Sequence, residues 1–180
     1  MPAATQRPSR PASDEYHPYY AGYVAEVPAG DVLAVLERQL DETARLLRRV
    51  PPERETFRYA LGKWSIREVV GHLADVERVL SHRALRFARN DPTPLPGFDE
   101  NTYVPAGAFD RRPLPELLEE LAAVRRATLA LFRPFDAAAW ARAGDANGSR
   151  VTVRALAYII AGHERHHVGV LRERYGVGNS

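Results

Sequence analysis

The sequence predicts an all-α protein, a four-helix bundle with a long connection between its second and third helices. Four stretches of about 20 residues place apolar side chains three and four positions apart, the spacing of one helix face. Segments rich in proline and glycine separate them. No other stretch alternates apolar and polar residues as a half-buried strand would.

The first helix runs from Asp31 to Arg49, with Leu33, Leu36, Leu40, Thr43, Leu47 and Val50 on its predicted core stripe, and Pro51-Pro52 closes it. The second opens at Ser65, whose hydroxyl can cap the helix while Glu68 reaches back, with Trp64 placed to staple the entry. Ile66, Val70, Leu73, Leu80, Ala84 and Phe87 form its stripe, which breaks at Asn90-Asp91-Pro92. About twenty residues follow (DPTPLPGFDENTYVPAGAFD), a length at which a connection is often functional. The third helix spans about Pro113 to Phe132, turns Leu117, Leu121, Val124, Thr128 and Leu131 inward, and stops at Pro134. A short helical turn (DAAAW) and the turn formers Asp145-Ala146-Asn147-Gly148 precede the fourth. Thr152 is the predicted cap of that helix, Leu156, Ile160, His163, His167 and Val170 its inner face, and Gly176 its left-handed end. Residues 1–28 read as a polar, proline-rich and partly disordered arm, 29–176 as the bundle and 177–180 as a tail.

A chain of 180 residues is one ordinary domain, and 45% hydrophobic with 27% charged residues exclude wholesale disorder and a fibrous protein. No apolar run approaches the roughly 18 residues of a membrane span. Met1 to Asp14 lacks the apolar stretch of a secretory signal, so a cytoplasmic location is expected. The absence of cysteine excludes disulfides, iron–sulfur clusters, thiolate zinc sites and a cysteine nucleophile. Any metal must use nitrogen and oxygen donors. Lysine and arginine number 25 against 23 aspartate and glutamate, the net charge is +2, and the arginines are interspersed with acids. That balance argues against a nucleic-acid partner.

The chemistry resides in the histidines. Six are present, and His163, His166 and His167 fall in one string, GHERHHVGVLRERY. On a helix His163 and His167 lie about 40° apart and one turn above each other, so both imidazoles can reach one ion. Hydrogen-bonded core histidines would satisfy the same pattern. His72, near the start of the second helix, is a third candidate ligand. Three imidazoles leave coordination positions open, the arrangement of a catalytic rather than a structural metal. Asp75 or Glu77 could accept the outer imidazole N–H, although Glu77 could equally pair with Arg83 or another helix. His166, about 60° from His163, is the substitute ligand if the register differs. His17 and His82 read as surface residues. His163-Glu164-Arg165-His166-His167 also matches the zincin pattern His-Glu-x-x-His. Its context is poor, since the thirteen residues after His167 hold no histidine and one carboxylate, Glu173. Glu164 therefore reads as a flank residue rather than a base.

The blocks GKWSIREVVGHLADVERVLSHRALRFARND, PLPGFDENTYV and VRALAYIIAGHERHHVGVLRERY resemble the DinB-like superfamily, helical bundles that include YfiT-type metal-dependent hydrolases. The resemblance covers about Leu33 to Tyr175. It implies a four-helix bundle with a nickel- or zinc-type site, the first ligand falling on His72 and the other two on His163 and His167. It also implies kinship with S-transferases and an isomerase that use low-molecular-weight thiols such as bacillithiol and mycothiol.

A divalent metal held by neutral imidazoles lowers the pKa of bound water or thiol, so both hydrolysis and thiol transfer on a small-molecule substrate are compatible with these residues. Asn101 and Tyr103 of the long connection, Trp64, and Arg154 as an anion binder are candidate pocket residues, with loop capping, core packing and an ordinary ion pair as their plain alternatives. A metal-stabilised stress-response binding module without turnover is the alternative function. The apolar faces and the family's habit suggest a homodimer.

Overall fold

The computed structural model describes residues 7–178. Positions 1–6 of the expected arm and 179–180 of the tail lie outside the described residues. Four long helices, α2 (Val32–Leu47), α3 (Ile66–Ala88), α5 (Leu114–Phe132) and α7 (Val153–Tyr175), form the bundle, with α1 (Ala21–Glu26), α4 (Glu100–Gly107) and α6 (Ala137–Ala141) as short additions. Both α2 and α3 pack against α5 and α7, so the consecutive helices α2 and α3 sit across the core from each other. No described helix is long and apolar enough to cross a membrane.

The end signals operate as the sequence reading has them. Ser65 and Glu68 form a reciprocal capping box on α3, Thr152 accepts from the N–H of Ala155 on α7, and Gly176 ends α7 at φ 68°. The stripe of α3 is buried throughout, but that of α2 is rotated from the expected one. Val32, Val35, Leu36, Gln39, Thr43, Leu46 and Leu47 face the core, and Leu33 and Leu40 lie at its rim. Gln39, a polar residue on the inward face, hides this register from the apolar periodicity. On α5, Leu131 is half-buried while Leu118, Arg125 and Leu129 are buried.

Two connections differ from expectation. The long segment between α3 and α5 holds α4 and a 3-10 turn, Phe109–Arg111, capped at α4 by Asp99. The segment before α7 contains a β-hairpin, β1 (Ala143–Ala146) and β2 (Ser149–Thr152), where no strand was expected. Asn147 and Gly148 both have positive φ, 57° and 72°, which suits the two-residue turn between twisted strands. Strands of four residues are too short to show alternation. Leu95 bridges to Ala146 and ties the long connection to this hairpin.

The part of the arm within the described residues is packed on the bundle. Val24 and Val27 are buried, α1 lies along α7, and the Arg10 guanidinium donates to the carbonyls of Val24 and Val27. Its polar composition concealed these few apolar anchors.

The apolar core divides into two clusters along the bundle axis. Between them lies a buried polar layer: Gln39 and Thr43 from α2, His72 and Glu77 from α3, Arg125 and Thr128 from α5, His163 and Glu164 from α7. The candidate site is built on this layer.

Candidate metal centre

His72 stands two turns into α3, and His163 and His167 occupy successive turns of the adjacent helix α7. The Nε2 atoms of His72 and His163 face each other at 3.0 Å. One ligand nitrogen from each of His72, His163 and His167 lies within 4.8 Å of the others. Two nitrogens bound tetrahedrally at about 2.0–2.1 Å from one ion sit about 3.3 Å apart, so the cluster has the scale of a single-ion site. His167 makes ring contacts with His72 at 4.9 Å and His163 at 4.6 Å, and has no hydrogen-bond partner among the described residues.

Burial holds all three imidazoles neutral. It pushes His72 down to about 4, and His167, with His72 and His166 adding to the effect, down to about 3. Burial, then the neighbouring imidazoles, drives His163 well below the ordinary histidine value. Neutral imidazole is the ligating form. Three converging neutral donors on two rigid helices, one of them without a protein partner, fit a borderline divalent cation.

The ring planes are set by aromatic neighbours. Trp64 lies 4.6 Å from His72 and 6.4 Å from His167, and its carbonyl accepts from the Tyr175 hydroxyl at 2.6 Å. Tyr23 of α1 meets His163 edge-on at 5.5 Å. Behind the triad, Arg125 donates through Nε and Nη2 to both oxygens of Glu77 at 2.8 Å, and from Nη2 to Glu164 Oε2 at 2.7 Å. The Thr43 hydroxyl donates to the other Glu164 oxygen at 2.6 Å. Burial opposes the charge on Arg125, but the two carboxylates outweigh it and push its pKa up. Two carboxylates against one guanidinium leave this layer one negative charge, which favours a cation beside it.

Glu77 pairs with Arg125, not with Arg83 or an imidazole, and Asp75 pairs with Arg78 at 3.4 Å. His166 faces outward, 3.7 Å from Glu26 and 5.3 Å from the Tyr23 ring. Glu164 is buried and held by Arg125 and Thr43 rather than lying on a flank, so it is not free to act as a zincin base. Arg154 binds Glu15 instead of a pocket anion. His17 and His82 are exposed, although His17 reaches the cavity rim.

An open cavity of about 480 Å³ lies against the triad. Trp64, Tyr19, Tyr20, Tyr23, Arg83 and Phe98 are among its walls. Asn101 and Tyr103 are exposed on α4 and do not line it; the long connection contributes Gly97, Phe98 and Glu100 instead. Arg125 was the residue missed from sequence, and its one signal was an arginine set among Leu121, Val124 and Thr128 on an inward stripe. The tyrosines were missed because they belong to the presumed arm.

An imidazole cluster between two helices of a four-helix bundle, facing a cavity, defines the class to which this protein belongs. Residues 35–171 match the DinB superfamily, and the chain belongs to it. No curated protein sequence matches. Among solved structures the fold is similar to YfiT from Bacillus subtilis, described as a probable metal-dependent hydrolase with an unusual four-helix bundle topology, at TM-score 0.67 and 20% identity over 82% of this chain and 87% of that one. It is also similar to a mycothiol-dependent maleylpyruvate isomerase, at TM-score 0.61 and 18% identity over 86% of this chain and 63% of that one.

Proposed function

We propose that this protein is a metal-dependent enzyme acting on a small molecule, with His72, His163 and His167 holding one divalent cation. The observation that supports it is the set of three neutral, converging imidazoles on two helices, open on one side to a cavity of about 480 Å³. Zinc and nickel suit the donor set. Such an ion, when bound, brings a coordinated water or thiol toward its ionised form near neutral pH.

The chain's own residues supply position and enclosure. Trp64 and Tyr23 pack against the imidazole rings, and the aromatic walls shape the cavity beside them. With no cysteine in the chain and Glu164 engaged by Arg125 and Thr43, the nucleophile comes from outside, as water or as a low-molecular-weight thiol. The activity is accordingly of the hydrolase or thiol S-transferase type.

The test is elemental analysis of the purified protein beside a His163→Ala/His167→Ala variant, followed by assays with several small thiols plus a model electrophile, and with an ester panel. Near-stoichiometric metal in the parent only, with turnover abolished by a chelator, is the expected result. Equal and negligible metal in both proteins would refute the reading. Metal without turnover would reduce the site to a clamp between α3 and α7.

A further inference from the structure

Arg83 lines the same cavity and lies on the same face of α3 as His72. Eleven residues separate them, about 20° around the helix and about 16 Å along it. Helical side chains lean toward the N-terminus, which brings the guanidinium nearer the triad. Val76 and Leu80 line the cavity between the two.

Arg83 is only 4% exposed. Its Nη2 donates to the Pro96 carbonyl at 2.8 Å, and its Cζ sits 5.9 Å from the Phe98 ring centre. Among the described residues no carboxylate oxygen lies within 4.0 Å of it. Arg125, also buried, is instead gripped by two carboxylates. A buried guanidinium without a counter-charge is costly, and an anion in the cavity would supply it.

We infer that Arg83 is a specificity residue that binds a carboxylate on the substrate, its fork still having N–H groups for a planar acceptor. The cavity then takes a small monocarboxylate with the anionic end at Arg83, an apolar middle over Val76 and Leu80, and the reacting end at the histidines. A monoanion matches better than a phosphate, because one guanidinium is available and Glu100 lines the same cavity. Only the orientation rests on the proposed metal reading; the anion site itself does not.

The experiment titrates benzoate and its neutral isostere benzamide into the protein as purified and after chelator treatment, by calorimetry. Benzoate is expected to bind at least about tenfold more tightly than benzamide in both preparations. Arg83→Gln should abolish the preference and Arg83→Lys should keep part of it, with inorganic phosphate weaker than benzoate in the parent protein. Equal binding of the two probes, or binding of neither, by the unmodified protein overturns the inference without any variant. So does tighter binding of phosphate, benzoate binding that appears only in Glu100→Gln, or a preference lost with the metal yet retained in Arg83→Gln. Failure to find metal, alongside an arginine-dependent preference in the chelator-treated protein, would remove the metal reading and leave the anion site standing.

Discussion

A Cβ atom on Gly162 would lie 1.9 Å from the carbonyl oxygen of Tyr23. The backbone of α1 is therefore seated directly on α7, one residue before His163. Backbone yields less readily than the end of a side chain, so Gly162→Ala must push α1 off the bundle and take Tyr23 from the cavity wall. The expected loss is about 1–3 kcal/mol, read from urea denaturation. Gly169, on the same helix, has nothing within 4 Å of an added Cβ. Gly169→Ala should stabilise by about 0.5–1 kcal/mol through helix propensity. Equal effects of the two substitutions would show that the contact with Tyr23 has no energetic weight.

Arg125 pairs with two buried carboxylates at once. Arg125→Met leaves Glu77 and Glu164 facing each other without a cation, and should cost about 3–5 kcal/mol. The triple replacement Arg125→Met/Glu77→Leu/Glu164→Leu removes all three charges together and should recover most of that loss. Chemical denaturation of the parent, these two variants and each carboxylate variant alone measures the coupling. A single Arg125→Met variant as stable as the parent would contradict the network's role.

The bundle was legible because its helices announce themselves through end signals and stripes, Ser65 with Glu68 and Thr152 with Gly176 being the clearest. His72, His163 and His167 were legible for a related reason: helical spacing alone brings two of them onto one face, and the inward flank of α3 supplies the third. Arg125 was not, because pattern reading assigns arginine to the surface and its burial depends on two carboxylates from other helices. The cavity walls were not either. Tyr19, Tyr20 and Tyr23 sit in a proline-rich segment whose local composition suggests no fold, and their positions come from docking through Val24 and Val27. The hairpin follows the same rule: Asn147-Gly148 was visible as a turn, but strands as short as Ala143–Ala146 carry no periodicity.

Glu15 fastens the N-terminal segment to the start of α7. Its oxygens accept from Arg154 Nε and Nη2 at 2.6 and 2.5 Å and from the Thr152 hydroxyl at 2.8 Å. Burial raises its pKa, but Arg154, the Ala12 N–H and Thr152 together outweigh this and leave it below the ordinary value of 4.5. A depressed folded-state pKa gives stability that is fully present above the unfolded value and is lost as pH falls through the folded one. Arg154→Ala should therefore destabilise the protein by about 1 kcal/mol at pH 7, with the gap to the parent closing below about pH 4. Thermal melts of both proteins from pH 3 to pH 7 give the comparison; a gap that widens on acidification would reverse the assignment.

Trp64 offers a direct optical readout of the candidate centre. Its ring centre lies 4.6 Å from that of His72 and 6.4 Å from that of His167, whereas the other tryptophan, Trp140, is buried among Phe132 and Phe135 in the cluster beyond the polar layer. An open-shell divalent ion such as nickel or cobalt bound by the triad would quench Trp64 and leave Trp140 emitting. Titration of chelator-treated protein should thus remove roughly half of the tryptophan emission, saturating at about one ion per chain. In Trp64→Phe the remaining emission should not respond, and in His163→Ala/His167→Ala the titration should be flat at the same metal concentrations. Quenching that persists in Trp64→Phe would place the ion elsewhere, and a full response in the double histidine variant would remove the triad as its binding site.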